Sequence, residues 1–148
     1  MTSFKFLSLQ HIAIEDPGTF KDFLLDDGHS LTTIQLDEGD AIPSNLDEFD
    51  AMLCMGGPMD THMEQEYPWL IPEKKAIGEY VLNLEKPFLG FCLGCQLLGE
   101  VLGGQVVKSS PSEIGVLDIH SQEDITMDPV FNFLPESFKA LQWHSYEV

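Results

Sequence analysis

The fold class this sequence predicts is α/β, with a doubly wound, mostly parallel sheet and helices on both faces. Three observations predict it. Short apolar runs of strand length alternate with longer stretches whose apolar residues recur at helical spacing. Sharp breaks interrupt the chain where runs end, most abruptly at Gly56-Gly57-Pro58. The length of 148 residues and the apolar fraction of 43% suit one domain with a real core.

The elements follow in order. Residues 6–14 (FLSLQHIAI) read as a buried first strand, which also makes His11 a satisfied sheet histidine. Asp16-Pro17 predicts an N-cap and a proline at the first helical position, with Gly28 as the stop. Between them Phe20, Phe23, Leu24 and Leu25 are expected to form one apolar stripe. Residues 31–36 and 49–55 read as the second and third strands, and Cys54, ending the third, as a packed core thiol. From Trp69 to Leu84, apolar positions 70, 77, 80, 81 and 84 keep helical spacing. Residues 87–91 (PFLGF) form a short buried strand, and 93–103 a helix ending in Gly103-Gly104. Beyond 104 the pattern changes. QVVK, EIGVLDI, DITM and FKALQW read as strands, with no clear helix and with His120 in a turn. FKALQWHSYEV looks like a strand running into a loop with no closing helix, so the chain is expected to be the front portion of a longer protein, its C-terminal part truncated. Trp69 and Trp143 are expected to pack rather than stack on a ligand, and His62 to sit at the surface.

The formal net charge of −18, from 25 acidic and 7 basic residues, lacks the basic footprint of a nucleic-acid or anionic-membrane binder. The acids are scattered and read as a solvated surface. No apolar run approaches a membrane span, and the N-terminus lacks a signal-peptide pattern. With three cysteines, an odd count, free thiols in a reducing cytoplasm are the expectation.

Two of those cysteines lie in Gly90-Phe91-Cys92-Leu93-Gly94-Cys95-Gln96. Ligands of a parallel sheet bind beyond the C-terminal strand ends. Cys92 belongs there, where strand 87–91 turns into the next helix. Gly90 and Gly94 flank it at minus two and plus two, the spacing of a nucleophile elbow with cysteine in place of serine. The helix N-terminus is expected to favour thiolate over thiol, and its free N–H groups can hold charge on a substrate oxygen. At about 100° per residue, Cys92, Gln96, Gly99 and Gly103 share a polar or small face, whereas Cys95, Leu98 and Leu102 share an apolar one. Cys95 is accordingly expected in the core. A C-x-x-C redox pair is the rival reading, and zinc lacks a second ligand cluster. The Gly57 turn reaches the same sheet edge, and its backbone N–H can point at a substrate oxygen.

Taken together, GGPMD, EYPWL, PFLGFCLGCQLLGEVLGGQV, PSEIG and LQWH resemble the class I, or triad, glutamine amidotransferases, with the stand-alone GMP-synthase-like members as the nearest pattern. The resemblance covers the chain from about Leu7. It implies a flavodoxin-like fold and one amidotransferase domain over 1–148. It also implies a Cys92 γ-glutamyl thioester that releases ammonia from glutamine, and no cofactor or metal. Gly57 and Leu93 N–H groups would form the oxyanion hole, and Gln96, Ser145 and Tyr146 would contact glutamine or another γ-glutamyl compound. Glu113 falls in the strand after the elbow and is expected to anchor it. A separate ammonia-accepting synthetase is the implied partner. The family takes its base and orienting acid from a His-x-Glu motif beyond the WH segment. None follows here: His144-Ser145-Tyr146-Glu147 misses the spacing by one, and Tyr146 stands where near relatives carry Asp. Turnover by these residues alone is therefore expected to be weak or absent. A γ-glutamyl hydrolase, a non-catalytic binding module and a thiol oxidoreductase are the other classes the sequence leaves open.

Overall fold

The computed structural model describes residues 2–121 and 125–148. They form two compact units: residues up to Val106 together with Val148, and residues 107–147.

The first unit is the parallel sheet. Strands β1 (Lys5–Gln10), β2 (Ser30–Gln35), β3 (Ala51–Cys54) and β4 (Phe88–Gly90) stand in the order β2-β1-β3-β4, all parallel. Helices α1 (Thr19–Asp26), α2 (Leu70–Gly78) and α3 (Leu93–Val101) connect or follow them. Alternation along β3 sorts the helices onto two faces. Met52 and Cys54 pack with Leu70 and Ile77 of α2 and with Leu93 and Leu97 of α3. Leu53 and the following Met55 pack on the opposite face with Leu24 of α1. Leu7, Leu9, Met52 and Leu53 are at most 2% exposed, so each contributes the ~1.5–3 kcal/mol of a fully buried apolar side chain. The predicted doubly wound α/β class is the observed one.

The second unit is a long antiparallel hairpin of β5 (Val107–His120) and β6 (Ser137–Glu147). Its register shifts between Lys108 and Glu113. Glu113 faces His144 across the ladder and pairs with it at 3.1 Å, which fits its expected anchoring role.

Several local expectations need correction. Helix α1 begins at Thr19, not Pro17: Asp16 instead accepts a hydrogen bond from Gly18 N–H, and Gly18 at φ 51 is the N-cap. The expected stripe on α1 is not buried. Only Leu24 is, packed with Leu53 and Met55, while Phe23 is 63% and Phe20 37% exposed. Beyond Gly78 the second helix widens into a π turn over Glu79–Asn83. His120 ends a strand rather than sitting in a turn, and His11 lies just past β1. The DITM segment is a 3₁₀ turn over Ile125–Met127, and its Asp124 lies outside the described residues. Residues 144–146 are not a loop but part of β6, since their backbone is drawn into the hairpin ladder. Trp143 does not pack; it is 74% exposed.

Candidate active site

Register brings two turns to one edge of the sheet. Leu53 pairs with Leu89 and Cys54 with Gly90, so the residues after β3 and those after β4 leave the sheet side by side.

The Cys92 turn is fixed by backbone contact. Phe91 N–H donates to the Cys54 carbonyl at 2.9 Å, and Gly94 N–H donates to the Met55 carbonyl at 3.2 Å. A Cβ on Gly94 would run into the Cys54 carbonyl, and one on Gly90 would lie 2.5 Å from Cys95 N and Gly94 C. No other residue fits at either position without moving the main chain. The turn is so tight that Cys92 takes φ 49, ψ −105, which for a residue with a Cβ costs about 1–3 kcal/mol. It is the N-cap of α3, and it is exposed. Strain of this kind persists only where the surroundings over-determine it.

The second turn, Met55-Gly56-Gly57-Pro58, lies against the first. A Cβ on Gly56 would strike the Glu15 carboxylate and come within 3.6 Å of Cys92 Cβ. One on Gly57 would lie 2.6 Å from Met59 Sδ and 3.1 Å from His11 Cβ. Behind this turn sits a buried polar group. His11 Nδ1 is 2.8 Å from the Gly56 carbonyl oxygen, and Nε2 is 2.8 Å from Glu73 Oε1. Cys54 Sγ donates to the same Glu73 oxygen at 3.4 Å. The His11 ring stacks on Trp69, with centroids 5.4 Å apart.

The electrostatics at Cys92 run against the expected thiolate. Cys92 is only partly covered, yet that partial burial of the sulfur pushes the thiol up, and the nearby Glu15 carboxylate and Cys95 push it further. The Leu93 N–H hydrogen bond pulls it down but does not prevail, so the net shift is upward. The sequence could supply the helix terminus but not the carboxylate that folds back onto it. His11 moves the other way. Burial lowers its pKa, but Glu73, the Gly56 carbonyl and Glu15 together outweigh that and hold it above the ordinary value. Burial, with Glu73 beside it, drives the Cys54 thiol well up, consistent with its expected inert role in the core.

Among the other predicted residues, the Leu93 N–H hydrogen-bonds the Cys92 sulfur and Gly57 lies against the Leu93 side chain, whereas Ser145 and Tyr146 belong to the hairpin unit. Gln96, one turn after Cys92, is 8% exposed, and its N–H bonds the Cys92 carbonyl at 3.1 Å. Cys95 is not a core residue; it is exposed. The contact of Gly94 with Cys54 rolls α3 so that Leu93, Gly94, Gln96 and Leu97 face inward, and Leu102 is left 55% exposed. His144 is occupied within the hairpin by Glu113, Gln142 and the Tyr146 carbonyl. Sequence reasoning missed Glu15, Glu73 and the placement of His11 behind Gly56. It also passed over a His-x-Glu spacing at His62-Met63-Glu64. Glu64 there pairs with Lys74 at 2.8 Å, while His62, exposed, approaches Asp60 at 4.0 Å.

A cysteine on a strained strand–helix turn, faced by a glycine turn from the neighbouring parallel strand, defines an α/β protein with a thiol elbow. The sequence matches the family Glutamine amidotransferase class-I over residues 21–148. It is 30% identical over 138 residues to a putative glutamine amidotransferase-like protein, YfeJ, of Salmonella typhimurium, covering 91% of this chain and 57% of that protein. It is 35% identical over 103 residues to one subunit of the glutamine-hydrolysing GMP synthase of Sulfolobus acidocaldarius, covering 70% of this chain and 50% of that one. The crystal structure of a glutamine amidotransferase of Thermotoga maritima superposes with a TM-score of 0.90 at 30% identity, over 99% of this chain and 63% of that one. The chain belongs to the class I glutamine amidotransferases. It spans about half the length of these two curated relatives. Among the described residues no helix is long and apolar enough to cross a membrane.

Proposed function

We propose that the chain carries the glutaminase half-site of an amidotransferase, with Cys92 as nucleophile. The Cys92 sulfur attacks the γ-carbonyl carbon of glutamine, and the carbonyl electrons move onto oxygen. Collapse of that adduct breaks the C–N bond. The nitrogen takes up the proton that the thiol gives up and leaves as ammonia, and a γ-glutamyl thioester remains. Water then cleaves the thioester, giving glutamate and the free thiol. Gly57 and Leu93 N–H groups receive the transient negative charge on oxygen. The observation that carries this reading is the strained, exposed Cys92 with the Leu93 N–H on its sulfur and the Gly56-Gly57 turn against it. Gln96, Ser145 and Tyr146 are assigned to the substrate by family resemblance. The Sulfolobus relative is named as one subunit of its enzyme, which supports a separate synthetase as the acceptor of ammonia. No His-x-Glu follows His144 in these 148 residues, so turnover by them alone is weak on this reading.

Trapping tests it. Incubating the full-length protein with glutamine and hydroxylamine should yield γ-glutamyl hydroxamate, and Cys92→Ser should yield none. Equal yields from both would sink the reading. The exposure of Cys95, one helical turn after Cys92, supports a second reading, a reversible Cys92–Cys95 disulfide. Redox titration followed by peptide mapping would detect that bridge.

A further inference from the structure

Gly56 and Gly57 have no side chains with which to fix the peptide plane between them. Glycine on both sides of the Gly56–Gly57 bond leaves that peptide easy to rotate. Yet its N–H is the oxyanion donor in the reading above. Something outside the turn must aim it.

His11 is in the right place. Its ring is fully buried, and Nδ1 lies 2.8 Å from the Gly56 carbonyl oxygen. A carbonyl can only accept, so Nδ1 carries the proton and donates, whatever the charge on the ring. The Gly56 C=O and the Gly57 N–H belong to one planar trans peptide and point in opposite directions. Holding the oxygen towards His11 therefore turns the N–H away from it. No backbone acceptor among the described residues takes that N–H. A donor on the carbonyl also polarises the amide and strengthens the N–H at its other end.

Glu73 completes the device. Oε1 lies 2.8 Å from His11 Nε2, and both side chains are 0% exposed. Its Oε2 is buried with no hydrogen-bond partner. A buried carboxylate with one orphaned oxygen is a costly group to retain unless its other oxygen is strongly engaged. Trp69 stacks on the ring and shields the pair. Glu15, the other carboxylate near His11, and Cys54 Sγ on Glu73 are the remaining titratable groups that face it.

We infer that the buried His11–Glu73 pair positions the Gly56–Gly57 peptide, setting the aim and strength of the Gly57 N–H as an oxyanion donor. The inference rests on the glutaminase reading. It makes His11 and Glu73 positioning residues that act through a backbone amide and not by touching the sulfur. The raised pKa of His11 accords with an imidazolium that donates from both nitrogens.

The test compares two reactions of the Cys92 sulfur in the full-length protein. Hydrolysis of a chromogenic γ-glutamyl anilide develops charge on a carbonyl oxygen; alkylation by iodoacetamide does not. Losing a whole oxyanion donor costs about 10²–10³-fold in kcat, which bounds the effect. His11→Phe should lower anilide kcat by about tenfold or more within that bound, with KM little changed and the iodoacetamide rate within about twofold of wild type. His11→Asn can return a donor to the carbonyl and should restore part of kcat. Glu73→Gln leaves Nδ1–H in place and should lose less than His11→Phe. If His11→Phe fails to fold, the order wild type, Glu73→Gln, His11→Asn still decides the matter. Parallel losses in both reactions, or unchanged anilide kcat in all variants, overturn the inference while leaving Cys92 as nucleophile. Anilide hydrolysis that survives Cys92→Ser overturns the glutaminase reading itself.

Discussion

The two turns that meet at Cys92 are held by different means. The 90–94 turn is held by main chain against main chain, with Gly94 against the Cys54 carbonyl and Gly90 against the start of α3. The 55–58 turn is held by a buried side-chain pair, Glu73 reaching in from α2 and His11 from just past β1. A site built the first way shows in sequence as glycines within two residues of the reactive atom, since the partner surface is main chain of any sequence. A site built the second way has its determinants scattered along the chain. The first is rigid because nothing else fits; the second is adjustable, since a proton or a side chain can alter it.

The largest expected effect separates the two. Gly94→Ala places a Cβ on the Cys54 backbone and should cost ~3 kcal/mol or more, read as a lower denaturant midpoint, together with loss of Cys92 reactivity. Gly28→Ala is the control: its φ is 81 but nothing lies within 4 Å, so only backbone strain is introduced, at a cost of about 1–2 kcal/mol. Equal costs for the two would mean that close approach does not fix the elbow.

The electrostatic predictions are smaller. The Cys92 thiol is pushed up by burial and then by Glu15, so alkylation by iodoacetamide should rise with pH through a midpoint above the ~8.5 of a free cysteine. Glu15→Gln removes one raising cause and should move that midpoint down. A midpoint below ~8.5 in the wild type would mean that the helix terminus prevails after all. His11 gives the opposite sign in stability. Its folded pKa is raised, so its contribution is complete below the unfolded value of about 6.5 and is lost as pH rises through the folded value. The stability gap between wild type and His11→Asn, measured by urea melts, should narrow as pH rises above ~6.5. A gap that widens with pH would contradict the assignment.

Much of the fold could be read from the sequence. The strands and the elbow rest on local patterns, apolar runs and glycines two residues either side of Cys92, and the structure keeps them. What could not be read depends on tertiary contact. Helical phase separates the faces of the helix after the elbow, but apolar content points to the Cys95 face as the inward one, which it is not. The Gly94 contact decides the inward face, bringing Gln96 in and leaving Cys95 out. His11 and Glu73 are 62 residues apart, and neither pattern nor spacing joins them. The upward shift of Cys92 comes first from burial and then from Glu15, a carboxylate distant in sequence that folds against the Gly56 turn. The fate of residues 144–146 turned on strand pairing, which their own composition does not announce.

The central claim is that the strained elbow presents one sulfur, Cys92, to a γ-carbonyl. Mass spectrometry after treatment with a diazo-ketone analogue of glutamine tests it most directly. The account predicts one label per chain, on Cys92, blocked by excess glutamine and absent in Cys92→Ser. Labelling of Cys95 in its place, or a folded protein that takes up no label, would contradict it.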